Sequence, residues 1–131
     1  MIDTWLEKNY QHIIDIRRWL HQHPEVGFNE HATSRYCQEL MTDMGYTVNQ
    51  NDKMQTGFFC DYGNCNGPTL AVRCDLDALP IEEVNTFNYR SKNKGVSHAC
   101  GHDSHMANIL GLAKYISDKK IKISGTLRFL F

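Results

Sequence analysis

Residues 69–80 read T-L-A-V-R-C-D-L-D-A-L-P, an apolar run that changes abruptly into two aspartates and a proline. The run over 69–74 is nearly continuous in apolar residues, the composition expected of an inner strand covered on both faces. Asp75 and Asp77 stand two apart, so an extended backbone turns both carboxylates to the same side. The carboxyl end of an inner strand is where open α/β sheets gather their working groups. Two readings of the pair stay open: working carboxylates, or turn formers that close the strand.

Upstream, apolar residues at Ile2, Trp5, Leu6, Ile13, Ile16 and Leu20 recur at helical spacing and predict an amphipathic helix over 3–21. Pro24 and Gly27 end it in a turn, where His21 and His23 complement the helix dipole. Asn29 fits an N-cap for a second helix, with Ala32, Tyr36, Cys37, Leu40, Met41 and Met44 inward and Gly45 as its stop. A short strand at 46–49 and a longer one at 56–62 follow. The segment G-N-C-N-G-P then reverses the chain before residue 69. Downstream, 84–97 is polar and irregular, a surface loop, and Glu82 and Glu83 before it read as solvated. Residues 101–118 form a helix with Met106, Ile109, Leu110, Ala113, Tyr115 and Ile116 inward, and 125–131 is a strand. The alternation predicts an α/β fold with helices layered on a mixed, partly parallel sheet. The sequence stops inside that apolar strand, where a natural terminus usually frays into polar residues, so we expect more protein beyond it.

Composition bounds the function classes. The 131 residues hold one domain at most, 41% hydrophobic and 22% charged, with a formal net charge of −1. Lys119, Lys120 and Lys122 make the densest basic cluster, too small for a nucleic-acid surface. The charged N-terminus does not read as a signal peptide, and no stretch reaches membrane-spanning length. Five cysteines, an odd number without a secretory signal, predict reduced thiols in a cytoplasmic protein.

The second dense stretch is S-H-A-C-G-H-D-S-H over 97–105, with three of the seven histidines. Cys100 and His102 flank a glycine at a helix start, and a thiolate with an imidazole suits a borderline-soft divalent metal. Asp103 is placed to orient a ligand histidine from behind. His105 lies one helical turn from His102, and His98 precedes the loop. Other readings are also open: satisfied polar residues around a buried thiol, or a Cys100 nucleophile activated at a helix N-terminus. The two clusters together favour metal.

Four motifs taken jointly resemble the metal-dependent amidohydrolases, a family that includes hippurate hydrolase, N-acyl-amino-acid deacetylases and auxin-conjugate hydrolases. They are R-R-W-L-H-Q-H-P-E-V-G-F (17–28), A-V-R-C-D-L-D-A-L-P-I-E-E (71–83), H-A-C-G-H-D-S-H (98–105) and G-T-L-R-F-L-F (125–131). The resemblance implies a two-zinc exopeptidase fold, of which residues 1–131 are the N-terminal portion of the catalytic domain, without the lid or dimerisation domain. It implies two divalent ions, zinc or manganese, and hydrolysis of the amide of an N-acyl amino acid or small peptide. Cys100 and His102 match the family's metal ligands, and Asp77 matches the aspartate that holds and polarises one. Asp75 stands where related metallopeptidases carry a ligand histidine, and its role stays open; His105 matches a position behind the ligands. The family's adjacent glutamates, general base and ligand, come after the strand that resembles 125–131, so the chain alone is expected to be inactive. A full-length relative is expected to form a homodimer, and neither nucleic acid nor a membrane is an expected partner. The competing readings are a small non-catalytic metal-binding module and an interaction fragment that docks through a sheet edge.

Overall fold

The computed structural model describes residues 2–131. Three helices, α1 (Ile2–Gln22), α2 (His31–Asp43) and α3 (His102–Lys119), accompany four strands: β1 (Val48–Asn49), β2 (Phe59–Gly63), β3 (Thr69–Arg73) and β4 (Thr126–Leu130). The strands form one mixed sheet in the order β1-β2-β4-β3. β4 is antiparallel to β2 and parallel to β3, so the last strand inserts between two that the 64–68 turn connects. The α/β fold with a mixed, partly parallel sheet is therefore the one expected.

The period-two alternation of β4 explains the layering. Leu127, Phe129 and Phe131 point into the core, with Cys60 beside Phe129, while Arg128 faces the other way and grips Asp61 at 2.8 Å. The helices supply the rest of that core: Ile16 and Leu20 from α1, Cys37 and Met41 from α2, and Met106, Leu110, Ala113 and Ile116 from α3. Two long-range bonds set α1 antiparallel to α3. Trp5 Nε1 donates to Asp118 Oδ2 at 2.9 Å at one end, and Arg17 Nε to Asp103 Oδ2 at 2.8 Å at the other. Gly63 and Gly125 are required where β2 meets β4. Both have positive φ, and a Cβ on Gly63 would lie 2.3 Å from the Gly125 carbonyl oxygen.

Three expectations change. β3 is an edge strand among the described residues, with Leu70 67% exposed, rather than an inner strand covered on both faces. An apolar run records what a strand can bury; its place in the order depends on which strand pairs beside it, and β3 pairs only with β4. α2 starts from Glu30, not Asn29, because the Glu25 carboxylate takes the helix's free N–H groups, those of Ala32 at 3.1 Å and Thr33 at 2.7 Å. On its first turn Thr33 and Ser34 are buried in place of Ala32, their hydroxyls bonded to Glu25 and to the Thr56 carbonyl.

Candidate metal centre

β3 delivers the segment 74–79 to the end of the sheet, where backbone contacts fix it on two sides. Ala78 N–H donates to Glu25 O at 2.7 Å, and Leu79 exchanges bonds with Ser97 at 3.0 Å in both directions. These contacts hold Asp75 and Asp77 beside the start of α3. There Gly101 takes a left-handed conformation, φ 87, which turns the chain into the helix at His102.

His102 is oriented by what its first nitrogen meets. Nδ1 lies 2.8 Å from the backbone oxygen of Asp77 and 3.1 Å from its Oδ1. A carbonyl oxygen only accepts, so Nδ1 carries the proton and the Nε2 lone pair is left free. Nε2 faces Asp75 Oδ2 at 3.6 Å. Ligand atoms of Asp75, His102 and His105 all lie within 4.8 Å of one another, the His102 and His105 rings 5.6 Å apart. Arg73 binds the other oxygen of Asp75, which keeps that carboxylate aimed. One carboxylate and two imidazoles are a donor set that suits zinc or manganese, and an aspartate-backed histidine is the usual support of a metal ligand. Cys100 is exposed and lies outside this trio.

Asp103 is in a different setting. It is fully buried, and its Oδ2 takes both Arg17 and His21 Nδ1, the latter at 2.7 Å. His21 Nε2 in turn meets Glu83 Oε1 at 2.9 Å. Burial works to raise the Glu83 carboxyl, but the Ser91 N–H, His21 and Asn85 more than offset it and hold it below the usual carboxylate range. His21, Glu83 and the half-buried Arg17 thus join Asp103 in a network that the sequence reading missed. Each lies in a stretch quoted there, yet their partners are 62 to 86 residues away, so spacing along the chain carried no signal of the contact. His98, close to this network, is buried with neither ring nitrogen partnered, and burial pushes its pKa down to about 4.

Residues 71–131 match the profile of peptidase family M20/M25/M40. A dinuclear metal binding peptidase of the M20 family from Bacillus subtilis superposes with a TM-score of 0.89 at 35% identity, over 95% of this chain and 35% of that one. The second half of this chain thus resembles peptidase family M20/M25/M40. Among curated relatives, an N-acyl-L-amino acid amidohydrolase of Geobacillus stearothermophilus is 43% identical over 119 residues, covering 91% of this chain and 32% of its own length. Thermostable carboxypeptidase 2 of Saccharolobus solfataricus is 42% identical over 120 residues, 91% of this chain and 30% of the relative. The chain therefore spans about a third of the length of the curated relatives it matches. No helix among the described residues is long and apolar enough to cross a membrane.

Proposed function

We propose that residues 1–131 form the N-terminal portion of the catalytic domain of a two-metal amidohydrolase that cleaves N-acyl amino acids or small peptides. The observation that carries this reading is the placement of His102, its Nδ1 2.8 Å from the Asp77 backbone oxygen, its Nε2 3.6 Å from Asp75 Oδ2, and ligand atoms of Asp75 and His105 within 4.8 Å. In this reading His102 is the pivotal ligand, Asp75 and His105 lie within reach of the same ion, and Cys100 is the further donor that the family motif supplies. Asp77 acts through His102, keeping its ring in one orientation. Asp103 supports the start of α3 from behind rather than touching an ion. A bound zinc or manganese ion would supply Lewis-acid polarisation of the amide carbonyl and an acidified water. Two such ions belong to the complete site. All five cysteines are free thiols, which supports a reducing, cytoplasmic location.

This chain contributes ligands but no evident general base: after His105 the only acidic residue is Asp118, bonded to Trp5 at the far end of α3. We expect the 131-residue chain to bind zinc or manganese yet leave N-benzoylglycine and N-acetyl-amino acids intact, as followed by amine release. Steady turnover that disappears in His102→Ala would contradict this division of the site.

A further inference from the structure

α3 starts without a local brace. Its N-cap is Gly101, which has no side chain to bond the free N–H groups of the first turn. Asp103, the acidic residue of that turn, is held from another helix instead. Its Oδ2 takes Arg17 Nε at 2.8 Å and lies 2.7 Å from His21 Nδ1. Its Oδ1 has no partner, so these two bonds from α1 are what anchors the carboxylate. His21 is engaged on its far side as well, with Nε2 2.9 Å from Glu83 Oε1. Glu83 in turn gathers the 80–97 loop, taking the Ser91 N–H at 2.5 Å and the Asn85 side-chain amide at 3.0 Å. One imidazole thus joins the end of α1, the loop and the start of α3. His21 and Asp103 are already buried within these residues, and further chain only deepens burial.

The setting of that first turn decides where His102 points. Residues 102 and 103 are consecutive and about 100° apart around the helix, so a hold on Asp103 fixes the rotation of both. The His102 ring has two narrow targets, the Asp77 backbone oxygen 2.8 Å from Nδ1 and Asp75 Oδ2 3.6 Å from Nε2. A ligand constellation works only when it is held within about 0.5 Å and 10–20°. Stability alone does not call for a histidine at position 21. A well-packed apolar side chain there would join α1 to α3 with less desolvation, but it would give Asp103 no direction.

We propose that His21 is a positioning residue for the metal centre: through Asp103 it sets the rotation of the first turn of α3 and so aims His102 at the ion. The proposal rests on the metal-centre reading above and adds to it a residue that touches no ion. Glu83 holds the far nitrogen of the same ring, and that bond serves the loop rather than the aim of His102.

Asparagine and glutamine divide the two bonds of this imidazole between them. The asparagine amide nitrogen reaches the place of Nδ1, and the glutamine amide nitrogen reaches that of Nε2. His21→Asn therefore keeps the bond to Asp103, and His21→Gln keeps the bond to Glu83. Wild type and both variants, as 131-residue chains, are titrated with cobalt(II) and followed by visible absorption. Trimethylamine N-oxide is present to favour the folded state, and circular dichroism gives the Tm of each metal-free chain. The two variants should lose similar amounts of Tm. Only His21→Gln should bind cobalt about 10-fold more weakly than wild type, with a changed ligand-field spectrum. Equal cobalt binding by the two variants, or weaker binding by His21→Asn, would overturn the proposal. So would a His21→Gln chain that stays unfolded in the osmolyte, since His21 would then serve the fold alone. Wild type separates the two ideas. Cobalt binding by wild type with no difference between the variants removes only the role of His21, and no binding by wild type removes the metal-centre reading beneath it.

Discussion

Two groups of ionisable side chains meet around the first turn of α3, and they behave as opposites. On one side Asp103, His21, Arg17 and Glu83 are packed between α1, α3 and the 80–97 loop, linked by bonds of 2.7–2.9 Å. On the other, Asp75, His102 and His105 are half-buried or exposed and point free ligand atoms at one another across 3.6 Å or more. The first group bonds within itself, with Asp103 Oδ1 left buried and unpartnered, and so stabilises the fold chiefly through Asp103 Oδ2. The second converges without satisfying itself, the arrangement of a site that takes a cation from outside. Consecutive residues 102 and 103 belong one to each, because successive helix positions point about 100° apart.

Removing the centre of the internally bonded group should have the largest effect. Asp103→Ala leaves Arg17 and His21 facing a buried gap and is expected to cost about 3–5 kcal/mol in urea unfolding. A loss near zero would mean that the network is not holding α1 to α3.

The buried side also predicts a pH dependence, through His98. Its folded pKa of about 4 lies below the ordinary 6.5, so as pH falls the unfolded chain takes up this proton first. Stability is therefore lost as pH drops from about 6.5 toward 4, by up to about 3 kcal/mol from this residue. Wild type and His98→Gln should converge in stability across that window, and parallel pH curves for the two would contradict the assignment. The smallest effect belongs to the open group. His102→Ala should change metal-free stability by only about 1 kcal/mol, because its removal strips one hydrogen bond from a half-buried ring. A large loss would place His102 with the structural residues.

The same contrast explains what could be read from the sequence. Periodicity located all three helices and the strands within a few residues, since Ile16, Leu20, Met106, Leu110 and Ala113 mark their inner faces by spacing alone. His102 and its neighbours stood out because metal-binding residue types crowd into nine positions. His21 and Glu83 did not, since a histidine at a helix end and a glutamate beside another have ordinary explanations until the fold brings them together. The edge position of β3 was hidden for a similar reason: strand order follows from tertiary pairing, and composition along the strand does not encode it.

The central claim is that His102, held by Asp77, is the pivot on which a divalent ion binds. Titration of the metal-free 131-residue chain with cobalt(II), followed by its visible ligand-field absorption, tests it most directly. The account predicts stoichiometric binding by wild type, weakened by Asp75→Ala or Cys100→Ala and reduced by about 100-fold or more in His102→Ala. Equal cobalt binding by wild type and His102→Ala would contradict it.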